Sequence, residues 1–475
     1  MNNPGSLYQK HDGKITIGGA SGDMGINFRF RDFGYPFSIL KLKRKFDRNQ
    51  WLTEEDLCRY QESKLRQIVR HSYENIPYYR KLFTQNKIGP DDVKTLRDLK
   101  AVPFLTKDLL RTAPESFVAD DVKKYRPTML STSGTTGGQI SFFTDKQSNI
   151  LEFVYYWRLW GWAGYKLGNT FAELSAEYFA FFNRKVQAMY NFDPLTRRLV
   201  VNSLLISPKY LDDFIGIFRK FRPLFLKGLP SNLYMFALVL NERKNHGISF
   251  RGIFSQGENL QGYQRELIEQ VFSCRVFDSY GHMERTVAIS QCPSGSYHMH
   301  LDYGIMELEE PEIPVVNGDE NACVREIVGT SLYNLSMPLI RYRTGDLVKL
   351  SRSPQKCSCN RGFPAVISIL GRDTDVIITP DRRAVTALYT VFDRIPGIII
   401  GQIIQEDIDH LLVKIVCASG AADHTEKLLI SNLRGFVGTA MDIKTVHTTI
   451  DGIKKDNLGK FKVIVSKIPS EKILD

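Results

Sequence analysis

Two groups of residues in this 475-residue chain could carry chemistry. The first is 131-STSGTTGGQIS-141, where every residue except Ile140 is Gly, Ser, Thr or Gln. Consecutive Gly and hydroxyl residues let backbone N–H groups converge on one point while the hydroxyls add donors, so the stretch could cradle an anion. The same composition suits a plain surface loop, so its setting decides: an anion cradle wants a strand before it and a helix N-terminus after it. The second group is Cys292, His298, Cys357 and Cys359, in 292-CPSGSYH-298 and 357-CSC-359. Three thiolates and an imidazole would close a tetrahedral shell around a structural zinc, with His300 as a second source of the imidazole. C-x-C is tighter than the usual C-x2-C, so spacing alone leaves zinc and four unrelated residues equally open.

Bulk composition narrows the classes. The chain carries 63 Lys and Arg against 52 Asp and Glu, a net charge of +11 with no concentrated block. A spread basic surface attracts a small anionic ligand, such as a nucleotide or acidic sugar, and nucleic acid binding is not expected. No apolar run approaches the ~20 residues of a bilayer span, and the N-terminal stretch has no signal-peptide core. We therefore expect no membrane span and a cytoplasmic location. Seven cysteines, unevenly spaced, do not suggest a disulfide framework. Cys58, Cys274, Cys323 and Cys417 read as small core residues.

The elements that must position these groups follow from periodicity. Residues 1–35, rich in Gly, Asn and Ser, are expected to be partly disordered. Apolar residues at three-to-four spacing predict a helix over 54–76 and a restart after Pro77, and 102-VPFLTKDLLR-111 reads as a loop leading into a short helix. The run 146-KQSNILEFVYYWRLWGWAGY-165 predicts a long helix, apolar nearly all round and so buried. Short apolar strands then alternate with helices: 222-RPLFLKG-228, a helix near 230–246, 249-SFRGIFSQGE-258, a helix near 260–272, and 274-CRVFDSYGHME-284. This is the pattern of an α/β domain with a mainly parallel sheet, whose ligands sit at the carboxyl ends of the strands. SQGE and SYGHME both fall there. From about 372 the predicted order is strand (376–379), helix (384–395), two strands (398–404 and 411–417), helix (424–435) and strand (442–448), then a Lys-rich loop, 451-DGIKKDNLGKFK-462, and 463-VIVSKI-468. We expect a large domain over 36–371 and a small, mobile α+β domain over 372–475.

STSGTTGG, SQGE, SYGHME, 341-RYRTGD-346, GRDTD and LGK, in that order, resemble the adenylate-forming (acyl-CoA synthetase-like) superfamily. The segments 71-HSYENIPYYRKLF-83, 280-YGHMER-285 and 338-PLIRYRTGD-346 are most similar to the branch of phenylacetate–CoA ligase, coenzyme F390 synthetase and CapK-type polysaccharide biosynthesis proteins. The resemblance implies that Ser133, Gly134, Thr135, Thr136 and Gly137 wrap the ATP phosphates, and that Gly257 and Glu258 line the adenine pocket. It implies that Tyr280 packs on adenine, Gly281 lets the base approach, Glu284 holds magnesium, Asp346 accepts the ribose hydroxyls, Arg372 starts the hinge and Lys460 is the mobile catalytic lysine. It also favours zinc on Cys292, His298, Cys357 and Cys359. Two positions depart from the pattern. Gly138 stands where Lys or Arg is usual, and Met283 where Thr or Ser is usual, with His282 and Arg285 as the groups placed to offset them.

The implied reaction is ATP-dependent activation of a carboxylic acid to an acyl-adenylate, then transfer to a thiol (coenzyme A) or an amine. The alternatives are adenylyl transfer to a hydroxyl and a non-catalytic nucleotide-binding scaffold. The helix over 150–165 and 171-FAELSAEYFAFF-182 are expected to line the acid pocket. The acid, the acceptor and the oligomeric state, a homodimer included, are left open by the sequence.

Overall fold

The computed structural model describes residues 35–131, 140–176, 178–179, 188–243, 246–311, 315–316, 319–354, 356–372, 377–381, 384–385, 388–392, 395, 397–417, 422–454 and 462–468. Its centre is a nine-stranded sheet. In spatial order the strands are Ala365–Val366, Tyr297–Met299, Ala288–Gln291, Val276–Gly281, Gly252–Gln256, Phe225–Gly228, Phe171–Leu174, Arg198–Val201 and Tyr190–Asp193. The five strands from Val276–Gly281 to Arg198–Val201 run parallel, and the outer ones are antiparallel. The parallel strands are nearly all buried, as expected when helices cover both faces.

One face carries Lys146–Trp162, packed through Leu159 and Trp160 on Phe171, Phe225, Phe254 and Phe277. This helix starts at a capping box, with Ser148 N donating to Asp145 Oδ1 at 2.7 Å. The other face carries Leu211–Phe221, Pro230–Asn241 and Gly262–Phe272. The N-terminal helices Tyr35–Asn49, Glu54–Asn75 and Pro77–Gln85 build a second core with 303–342. Glu54–Asn75 is capped by Thr53 and ends where Pro77 disfavours helical backbone one residue earlier.

A four-stranded antiparallel sheet, Gly304–Glu309, Ala322–Ser331, Tyr342–Ser351 and Ser368–Arg372, abuts the large one. The C-terminal sheet is ordered Asp442–His447, His410–Cys417, Ile398–Gln405, Ile464–Ser466, with helix Ala422–Val437 on it. Two expectations need correction. Among the described residues, 384–395 contains a short strand, Ala384–Val385, and a single 3-10 turn, Leu388–Phe392, not an α-helix. Ala384–Val385 is drawn into a small sheet with Val315–Val316 and Ile377–Ile378, a pairing that overrides local propensity. The Gly/Ser-rich stretch also does not run straight into a helix. It joins Thr128–Ser131 to Ser141–Thr144, an antiparallel pair, and the helix begins only at Lys146.

A fully buried ion pair locks the main helix in place. Arg158 spans Asp302 with two bonds, of 2.8 and 3.0 Å, and donates to the Phe46 carbonyl and to His300. Removing one partner of such a pair strands a buried charge and costs about 3–5 kcal/mol. Arg158→Met should therefore lower unfolding stability by about that much in a urea titration. A change within the error of the titration would show that the pair does not hold the helix.

Candidate functional site

The strand Val276–Gly281 ends in a tight turn that carries the motif residues. Arg285 closes the turn, with its N–H on the His282 carbonyl at 3.0 Å and its backbone left-handed at φ 55°. Such a conformation in a non-glycine residue is costly and persists only where its surroundings impose it. Those surroundings are close here. A Cβ at Gly304 would meet the Thr286 carbonyl at 1.8 Å, and one at Gly329 would meet Thr286 Oγ1 at 2.0 Å, so both positions require glycine.

Glu284 is buried within this turn. Tyr342 Oη donates to its Oε1 at 2.7 Å, His282 Nδ1 lies 2.9 Å from Oε2, and His282 Nε2 lies 3.0 Å from Thr286 Oγ1. Burial alone would raise the Glu284 pKa. The hydrogen bond and charge of His282, the bond from Tyr342 and the Lys107 ammonium outweigh it and hold the pKa at about 2. Lys107, whose Nζ donates to the Thr344 carbonyl, is a site residue that the motif reading missed. A signal was there: a lysine in the first turn of a helix faces the positive end of the dipole, so such a residue needs another reason.

Tyr280 Oη donates to Asp346 Oδ2 at 2.7 Å. Strand register sets Asp346 opposite Arg372, which joins the ribose and hinge positions of the sequence reading at the backbone level. A Cβ at Gly281 would meet nothing within 4 Å, so the strand end is open at that position. Gly257 is left-handed at φ 84°, as a turn at a strand end requires. The Glu258 carboxylate is directed elsewhere: it accepts from Ser231 N at 2.9 Å and Ser231 Oγ at 3.0 Å, capping Pro230–Asn241. Ser133, Gly134, Thr135, Thr136, Gly137, Gly138, Lys460 and the side chain of Arg372 lie outside the described residues. The stem of the lysine loop is described: Gln402, fully buried, donates to the carbonyls of Lys454 (3.1 Å) and Lys462 and accepts from Lys454 N at 3.1 Å.

The second constellation also converges. The ligand atoms of Cys292, His298, Cys357 and Cys359 all lie within 4.8 Å of one another. Cys292 and Cys357 sulfurs are 3.7 Å apart, and Cys359 Sγ is 3.3 Å from His298 Nε2. A tetrahedron with metal–sulfur bonds of about 2.3 Å has S···S edges of about 3.8 Å, so the set fits zinc. His298 Nδ1 lies 2.7 Å from the Phe363 carbonyl; its proton bonds there and leaves Nε2 free to ligate. Burial works to raise the Cys357 thiol, but hydrogen bonds from Ser296, the Cys359 N–H and His298 prevail and hold it at about 6. His300 is excluded from this set by its bonds to Arg158 and Ser290.

The Glu284 environment sets a pH dependence. Its folded pKa of about 2 lies below the ordinary 4.5, so the ionised carboxylate contributes stability that is complete above 4.5 and lost as pH falls through about 2. Between these pH values the wild-type melting temperature should fall more steeply than that of Glu284→Gln. Parallel slopes would show that the carboxylate is not held as described.

Residues 377–467 match the family model of the CapK C-terminal domain. Protein CapK of Staphylococcus aureus is 22% identical over 371 residues, covering 77% of this chain and 80% of that one. Phenylacetate-coenzyme A ligase of Aromatoleum evansii is 27% identical over 449 residues, covering 88% and 96%. Among solved structures, 2-hydroxyisobutyryl-CoA ligase in its postadenylation state with 2-HIB-AMP aligns over 90% of this chain and 93% of its own, with a TM-score of 0.68 and 17% identity. The same ligase in its thioesterification state aligns with a TM-score of 0.53. This chain is a relative of CapK and of the phenylacetate–coenzyme A ligases, built on the fold of the adenylate-forming coenzyme A ligases.

Proposed function

We propose that the chain is an AMP-forming ligase that activates a carboxylic acid with ATP and passes the acyl group to a thiol, coenzyme A in the first instance, or to an amine. The observation that carries this reading is the convergence of two motifs: Tyr280 and Glu284, from one strand-end turn, are bonded to Asp346 and Tyr342 of the 341–346 segment. Adenine stacks on Tyr280, and the Asp346 carboxylate accepts from the ribose hydroxyls. The stretch Ser133–Gly137 wraps the β- and γ-phosphates. Glu284, anionic at neutral pH, suits a hard oxygen-seeking cation, and magnesium held there would neutralise the departing pyrophosphate. His282, 2.9 Å from that carboxylate, would stand beside the phosphates. Lys107, beside Glu284, supplies the positive charge that Gly138 lacks.

In the first half-reaction a substrate carboxylate oxygen attacks the α-phosphorus, and the bond to pyrophosphate breaks. Lys460 bridges the carboxylate and the α-phosphate, stabilising the negative charge that builds there. In the second, the thiol sulfur or amine nitrogen attacks the acyl carbon, loses its proton, and AMP leaves. The small domain, 372–475, carries Lys460 and turns about the segment after Arg372 between the two steps. The better overlay on a postadenylation structure supports an adenylation-side arrangement of the domains here. Cys292, His298, Cys357 and Cys359 hold a structural zinc at the edge of the large sheet, with no open position for substrate.

ATP–pyrophosphate exchange with magnesium, run over a panel of carboxylic acids, tests the reading. Wild type should exchange with at least one acid, and Lys460→Ala, Glu284→Gln and Lys107→Met should each lose about 100-fold or more. Lys460→Ala should still form thioester from a supplied acyl-adenylate. ATP binding without exchange on any acid would reject acid activation. Metal analysis should find one zinc per chain, and Cys359→Ser should release it and lower the melting temperature. A metal-free wild type would remove the zinc assignment alone.

A further inference from the structure

The aromatic floor beneath helix Lys146–Trp162 does not continue to the carboxyl ends of the parallel strands. Side chains alternate across a strand, so residues two apart share a face. Phe171, Phe225, Phe254 and Phe277 face the helix, and so do Glu173, Lys227, Gln256 and Ser279, each two residues further on. The helix changes in step. Trp160 packs on Phe171 and Phe254, Tyr156 stacks on Trp160 one turn back, and Glu152 follows one turn beyond. Lys227 Nζ sits 5.8 Å from the Tyr156 ring centroid and 3.5 Å from Glu173, which Arg198 also grips at 2.6 Å. Glu152 takes the Tyr303 hydroxyl and lies 3.9 Å from Arg285, the residue after Glu284. A polar lane therefore runs from the nucleotide site inward between helix and sheet.

Two features make this lane more than a structural network. Glu173, Lys227 and Gln256 are 4, 5 and 5% exposed, and among the described residues Gln256 Nε2 has no hydrogen-bond partner. A buried amide donor left unpaired is costly unless a ligand completes it. The charge is also unbalanced. Glu173 meets two cations, Arg198 and Lys227, while Glu152 meets one, Arg285. The surplus is positive, which suits oxygen acceptors and opposes an ammonium.

Resting on the ligase reading above, we propose that this lane holds the tail of the acid, and that the tail carries oxygen functions, hydroxyl or a second carboxylate, bound by Lys227 and Gln256. An aryl or alkyl tail would leave Gln256 Nε2 unpaired and Lys227 with Glu173 alone, and a site built to hydrogen-bond a substrate group discriminates strongly against analogues that lack it.

Pyrophosphate exchange with phenylacetate, hexanoate, alanine, glucuronate and succinate tests the proposal, in wild type, Gln256→Leu and Lys227→Met. Lys227→Met leaves Glu173 paired with Arg198, and Gln256→Leu removes an unpaired polar group, so both variants should fold; melting temperatures check this. Wild type should prefer glucuronate or succinate, which separates hydroxyl from carboxylate recognition. Each variant should raise KM for that acid about tenfold or more, leave KM for ATP unchanged, and narrow the preference over hexanoate. Wild-type preference for phenylacetate, hexanoate or alanine overturns the proposal alone, as do folded variants that keep the wild-type ratio between acids. No exchange with any acid overturns the ligase reading and this proposal with it.

Discussion

A carboxylate taken out of water must be held by donors, and the architecture around Glu284 is organised by that need. Tyr342 supplies one donor, and the chain around it ties three units together. Leu105 N bonds the Arg341 carbonyl, Arg343 N bonds the Leu105 carbonyl, and the Tyr79 hydroxyl receives Ile340 N. A single short stretch, 340–343, thus joins the N-terminal helices, the segment that presents Lys107, and the sheet that presents Asp346 to the end of a strand from the large sheet. The same stretch fixes Tyr342 against Glu284, so the anion and its supports cannot be displaced separately.

Much of this was legible because it is local. The buried helix from Lys146, the strands ending in SQGE and SYGHME, and the order of the C-terminal elements from Ile398 on follow from periodicity and from turn residues at strand ends. What escaped depends on residues far apart in the chain. Lys107 reaches Thr344 across a separation of 237 residues, and Gln402 reaches Lys462 across 60. The pairing that draws in Ala384–Val385 comes partly from Val315–Val316, in the other part of the chain. Glu258 shows the complementary failure: its place in a motif was plain, but nothing local told that its side chain would cap a neighbouring helix.

The cysteine set shows why spacing could not decide by itself. His298 lies in the strand Tyr297–Met299 with Cys292 ahead of it, and Cys357 and Cys359 lie ahead of Ala365–Val366; the two strands pair through His298 and Ala365. That pairing, not the C-x-C interval, carries Cys357 and Cys359 to Cys292. Ala365–Val366 is the outermost strand of the sheet, and an exposed edge invites pairing with other chains. The loop that carries Cys357 and Cys359 lies beside that edge, at the far end of the strand order from Tyr190–Asp193.

Gln402 has a mechanical consequence. One amide, rooted in an inner strand of the small sheet, holds the chain both where it leaves for the lysine loop and where it returns. The two ends of that loop are hinged on a single pin. Any rotation of the small sheet swings them together through the same arc, so the span between them stays constant.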